Sequence, residues 1–155
     1  MFDILVYLFE SYVHAGACPA SDQLARKLSA AGFEDEEISE ALSWLTGLRE
    51  MDAACSPQIA PSAGSLRIYA DAEMVRLDAD CRGFIAFLEN AGALDGGARE
   101  LIIERAMALD PRLRISLHRL KVIVLMVLWQ REQPLDSLIL DELLNGEADE
   151  DLALQ

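Results

Sequence analysis

The sequence predicts a mainly α-helical fold, a single compact domain of about seven helices with at most one short β strand. Three observations carry that expectation. Apolar residues recur at three- and four-residue spacing along most of the chain, Gly and Pro punctuate the gaps, and the one β-prone run is Leu66-Arg67-Ile68-Tyr69. At 155 residues, such a chain buries roughly 70% of the surface that its unfolded form exposes, so disulfides are not needed.

A first helix is expected over residues 2–15, where Phe2, Leu5, Leu8, Phe9, Tyr12 and Val13 recur on one face and Gly16 closes the end. Ser21 is placed to cap a second helix, residues 22–31, with Asp22 in its first turn and Leu24 and Leu28 turned inward. Gly32 stops it. A third helix carries Ile38, Ala41, Leu42, Leu45 and Leu48 and opens on Glu34, Asp35, Glu36 and Glu37, acids that the positive end of a helix dipole stabilises. Together these make an N-terminal three-helix unit, residues 1–50, of helix-turn-helix type.

Residues 51–70 read as a loop of Pro, Gly and small side chains ending in the extended run or wing at Leu66 to Tyr69. A C-terminal helical unit then spans residues 71–145. Its first helix is expected to run unbroken from a cap at Asp71 to about Ala91, ended by Gly92. The turn Asp95-Gly96-Gly97 leads into a helix over 98–109, with Pro111 marking its end, and Ser116 caps a helix over 117–130. That helix is apolar almost all round, as a central helix must be. Pro134 breaks it, residues 135–144 form a last amphipathic segment, and residues 146–155 are expected to be an acidic flexible tail. LSAAGFEDEE and LENAGALDGG echo each other, and one helical hairpin used twice accounts for the echo.

Cys18, Cys55 and Cys81 are odd in number and form no CxxC, so the spacing suggests neither a disulfide framework nor a zinc knuckle, and a reducing cytoplasm fits best. No basic region leads the first apolar stretch, and the longest apolar run, residues 122–129, falls far short of the ~20 residues that cross a bilayer. No membrane role is expected.

A net charge of −14 argues against a general nucleic-acid binder, whose affinity comes largely from neutralising phosphates. The charge is uneven, however. Residues 99–121 hold six bases against three acids, a local basic face on which Arg112, Arg114, His118, Arg119 and Lys121 are the candidates for contact with a partner or a nucleic acid. The third helix, opening on EDEE and adding Glu40, would repel phosphates where a recognition helix should meet them.

Cys81-Arg82-Gly83 has the look of a reactive centre. On one long helix, however, Met74, Leu77, Cys81, Phe84, Ile85 and Leu88 share the core-facing stripe, where a thiol behaves as a small hydrophobe. Arg82 follows Asp78 by four residues and Asp80 follows Arg76 by four, so two helical ion pairs are expected. Gly83 costs up to ~1 kcal/mol relative to alanine inside a helix, which points to a close approach by another helix, with residues 120–129 as the natural partner. Asp78, Cys81, Arg82, Gly83 and Phe84 are thus assigned structural roles. Asp78 and Asp80 lie about 200° apart on a helix and cannot share a metal, and neither His14 nor His118 has an acid or cysteine at ligand spacing. With no P-loop, GxGxxG, calcium loop or GxSxG elbow, no catalytic residue, cofactor or metal is expected. The expected function is non-enzymatic binding of a protein partner, with acidic N-terminal helices and the basic stretch as two faces. The alternative is a nucleic-acid-binding accessory factor acting through residues 99–121.

MFDILVYLFESY, AGFEDEEISEALSWL, LRIYADAEMVRLDADCRGFIAFLE, ARELIIERAMALD and LKVIVLMVLW, in that order across nearly the whole chain, resemble the bacterial Smg family. RLD-x-x-CRGF and the LMVLW helix are the most specific pieces. Ala70 departs from the pattern, standing where a capping threonine is common. The resemblance implies a small, cytoplasmic, mainly helical bacterial protein, and it carries over no catalytic or ligand-binding residue. Genes of that family often lie near those for a DNA-processing protein involved in transformation and for peptide deformylase, a context that favours the nucleic-acid alternative somewhat.

Overall fold

The computed structural model describes residues 1–13, 20–54, 68–133 and 135–144. Among them are eight helices, α1 (Phe2–Tyr12), α2 (Ser21–Ala30), α3 (Asp35–Ala54), α4 (Asp71–Arg76), α5 (Ala79–Asn90), α6 (Gly96–Met107), α7 (Leu117–Gln130) and α8 (Ser137–Leu144). The fold is mainly helical, as the periodicity predicts. Ile68 and Tyr69 are not in a strand, and an isolated parallel bridge joins Leu77 to Ile115. Leu66 and Arg67 of the expected wing, His14, Gly16, Cys18, Cys55, Pro134 and the tail at 146–155 lie outside the described residues. The chain divides into two units, Met1–Met51 and Asp52–Gln155.

In the first unit, α1 buries Ile4, Leu5, Leu8 and Phe9, α2 buries Leu24 and Leu28, and α3 buries Ile38, Ala41, Trp44, Leu45 and Leu48. The N-cap of α2 is Ala20 rather than Ser21, and no side chain bonds there. Serine occupies the first helical position instead. α2 ends at Gly32, whose φ of 100° suits a residue without Cβ. There the Phe33 N–H donates to the Leu28 carbonyl at 3.2 Å, and the Phe33 ring meets Tyr7 edge-on with centroids 5.6 Å apart. α3 runs to Ala54, four residues into the segment that composition marks as loop.

The second unit is organised around α7, in which every residue from Leu120 to Leu128 is buried. Burying one such aliphatic side chain contributes roughly 1.5–3 kcal/mol, so this helix dominates the stability of its unit. Ser116 caps it, its hydroxyl accepting from the Arg119 N–H at 3.3 Å. Asp95 caps α6 in the same way, accepting from the Ala98 N–H at 2.7 Å. The echo in the sequence is a repeated helix ending. Gly92 (φ 78°) repeats Gly32, with the Ala93 N–H donating to the Leu88 carbonyl at 2.9 Å. α7 ends in the same manner without glycine: Glu132 has φ 53°, and the Gln133 N–H donates to the Leu128 carbonyl at 3.1 Å.

The long helix expected over 71–91 is two helices. Leu77 leaves the helical region (φ −102°, ψ 105°), is fully buried and bridges Ile115, while Asp78 begins α5 as its N-cap and accepts from the Cys81 N–H at 2.9 Å. Aspartate favours this break because its carboxylate satisfies an amide that a helix start leaves without a partner. Neither expected ion pair forms. Arg76 instead donates to the carbonyls of Met107 (2.9 Å) and Asp110 (3.0 Å) beyond the end of α6, and Arg82 Nε reaches the backbone carbonyl of Asp78 at 3.4 Å. The break also turns Met74 off the core stripe, leaving it 44% exposed.

Candidate functional site

The buried stripe of α5 is Cys81, Ile85 and Leu88. Cys81 is fully buried, and its Sγ donates to the Ile115 carbonyl at 3.6 Å. Burial, with the Asp78 carboxylate beside it, pushes the thiol up to about 12. The reactive thiolate is therefore absent at neutral pH. Asp78 is held below the usual carboxylate range, first by the Cys81 N–H it accepts.

Gly83 corrects the expectation of a close helix approach. It is exposed, and a Cβ built on it meets nothing within 4 Å. The reason is angular: two residues from both Cys81 and Ile85, it lies about 200° from each on a helix of 3.6 residues per turn, so it faces solvent. Phe84, on the edge of the stripe, is half-buried.

The basic stretch does not form one face. Arg105 and Lys121 are buried, at 8% and 7% exposure, because the long apolar flanks of α6 and α7 carry them inward. Arg99 is engaged by Glu89 at 3.0 Å and Glu100 at 3.1 Å. Arg112 is exposed but bonded to Asp110 at 3.0 Å, which holds the Asp110 carboxyl below its ordinary range. Arg119 donates to the Arg114 carbonyl at 2.6 Å, and His118 is half-buried. Arg114 is exposed and its charge acts on Asp78. Of the five candidates, Arg112 and Arg114 are exposed, His118 and Arg119 are half-buried, and Lys121 lies inside.

Lys121 marks a different site. Its ammonium bonds to Glu142 of α8 at 3.0 Å and sits 5.4 Å over the Phe84 ring of α5, tying three helices together. Phe84 stacks on Phe87, with centroids 6.3 Å apart and planes at 25°, and Phe87 is 57% exposed. Past the C-terminal end of α5 lies a groove of about 200 Å³, lined by Ala91, Gly92, Ala93, Leu128, Leu135, Asp136 and Ile139. Sequence periodicity assigned Phe84 and missed Phe87, although aromatics three residues apart meet on a helix. Among the described residues no group of three His, Cys, Asp or Glu is placed to hold a metal.

The family model described as "Protein of unknown function (DUF494)" matches residues 1–153. The chain belongs to this family. Curated Smg-family relatives bear the name Protein Smg homolog. That of Azoarcus sp. (strain BH72) is 69% identical over 150 residues, covering 97% of this chain and 96% of its own length. That of Bordetella pertussis is 52% identical over 147 residues, covering 95% and 96%. No solved structure matches. The Smg name thus rests on full-length similarity, in agreement with the resemblance of RLD-x-x-CRGF and LMVLW, and those two segments are the cap of α5 and the buried heart of α7.

Proposed function

We propose that the chain is a non-enzymatic protein-interaction or regulatory factor that holds a partner on the surface formed by α5, α7 and α8. The observation that carries this reading is Phe87, an aromatic side chain 57% exposed and stacked on Phe84 of the same helix. Exposed aromatic side chains are the ones that anchor protein contacts.

The nucleic-acid alternative has less support. Phosphate affinity scales with the number of cations available, and within residues 99–121 Arg99, Arg112 and Lys121 are already held by carboxylates. A cytoplasmic location accords with cysteines that show no paired spacing.

The test is capture from native lysate by the tagged full chain, with and without nuclease, over a range of salt. Retention of a stoichiometric protein after nuclease is the expected result. Recovery of no such protein, or capture that nuclease abolishes, would overturn the reading.

A further inference from the structure

We infer that α8 is a detachable strap over one stripe of α7, latched by the Lys121–Glu142 pair and able to open while the rest of its unit stays folded. The inference goes beyond the partner-binding reading and does not depend on it.

The strap follows a definable track. Lys121, Leu125 and Leu128 succeed one another on one face of α7, at helical spacings of four and three. Lys121 bonds Glu142 near the end of α8 at 3.0 Å, and Leu128 lines the same space as Leu135, Asp136 and Ile139 at its start. The two helices are therefore antiparallel, with Leu125 between the two contacts.

Its seating is shallow. α8 has eight residues and buries one, Leu143, whereas α7 buries every residue from Leu120 to Leu128. Leu138 is 75% exposed, and the space of about 200 Å³ that Leu128 shares with Leu135 and Ile139 leaves the start of the strap incompletely closed on α7. A helix this short does not persist without its packing, so it opens by melting off α7. An element that buries so little opens at lower cost than the core beneath it.

Lys121 suits this seam to opening. Its side chain is 9% exposed within an otherwise apolar buried run. In the closed form the ammonium has Glu142 at 3.0 Å and the Phe84 ring at 5.4 Å. In the open form water replaces the carboxylate, which an ammonium accepts and a leucine at the same position would not. A closed strap that lacks the carboxylate leaves a buried cation uncompensated. Weakening Glu142 therefore favours opening, and removing the cation favours closure. Opening uncovers Leu125 and Leu128, so this apolar surface of the unit is conditional on the latch.

Native-state hydrogen exchange of the isotope-labelled full chain, followed amide by amide at low urea concentrations, tests this. Amides of residues 140–144 are expected to be at least about tenfold less protected than those of 122–128, with a smaller urea dependence. Asp78→Ala weakens α5, which is folded whether the strap is open or closed. It should speed exchange at 122–128 by about fivefold and leave 140–144 unchanged. Glu142→Gln, at an exposed position, should speed 140–144 by about threefold to tenfold, whereas Lys121→Met should slow them. Raised salt should act as Glu142→Gln does, and less so on the Lys121→Met chain. Equal protection and urea dependence in the two segments, or an Asp78→Ala effect that reaches 140–144, would overturn the independent opening. Exchange at 140–144 that ignores Glu142→Gln, or that speeds in Lys121→Met, would overturn the latch.

Discussion

Replacing Gly83 with alanine adds one methyl group to the solvent face of α5, and the sign of its effect distinguishes two accounts of this glycine. Were a neighbouring helix close, the methyl group would overpack and cost stability. The structure removes that term, because the new Cβ meets nothing within 4 Å. What remains is the backbone difference between glycine and alanine within a helix, about 0.8–1 kcal/mol in favour of alanine. For a chain of 155 residues that corresponds to a rise in Tm of about 2–4 °C. Thermal and urea unfolding followed by circular dichroism read it directly, with an unchanged urea slope showing that stability alone has moved. Gly83→Leu should also be tolerated, since its side chain projects into solvent. A fall in Tm for Gly83→Ala, or a loss beyond about 1 kcal/mol for Gly83→Leu, would refute the placement of this residue on an open face.

Four other expectations follow from the caps and the core. Glu132→Gly should raise the urea midpoint by the equivalent of about 1 kcal/mol, because Glu132 holds φ 53°, where a Cβ is penalised; an unchanged midpoint would count against that geometry. At Ala70 the N–H already donates to Glu73 Oε2 at 3.0 Å, so Ala70→Thr supplies the missing half of the capping box. It should stabilise by about 0.5–1 kcal/mol, and destabilisation in the same unfolding assay would contradict the role. Asp78→Ala should cost about 1 kcal/mol at neutral pH. The native pKa of Asp78 is lowered, so the charge-dependent part of that loss is present above the ordinary value near 3.8 and disappears as pH falls through the native one. A charge-dependent penalty that grows on acidification would show the linkage to be wrong. Peptide-resolved thiol labelling should find Cys81 protected until the second unit unfolds, and rapid labelling of the native chain would show that its burial has been misjudged.

Much of the helical framework was legible because its signals are local. Ser116 lies where a cap is expected and bonds the amide three residues on, whereas Asp95, read only as part of a turn, proves to cap α6. The all-round apolar character of residues 120–128 implied a central helix, and the structure buries every one. Local signals misled where a residue's partner is distant in sequence. Arg76 looks like the mate of Asp80, yet it reaches carbonyls at Met107 and Asp110, and nothing in a four-residue spacing reports those. The candidate site was less legible for the same reason. Phe84 was assigned by periodicity, but the groove beyond it requires α7 and α8 to bring Leu128, Leu135 and Ile139 beside the end of α5.

The sequence by itself determined the helical class, the family, the burial of Cys81 and the position of α7 at the centre of its unit. Each follows from composition, periodicity or a cap, which act within a turn or two of helix. Only the tertiary structure decided that the helix over 71–91 breaks at Leu77, that Arg105 and Lys121 leave the basic surface, and that Gly83 faces solvent. Those outcomes depend on which groups are available across the core. A charge takes the partner that packing brings within about 3 Å, and a chain bends where a buried leucine and a capping aspartate together offset the helix bonds it gives up.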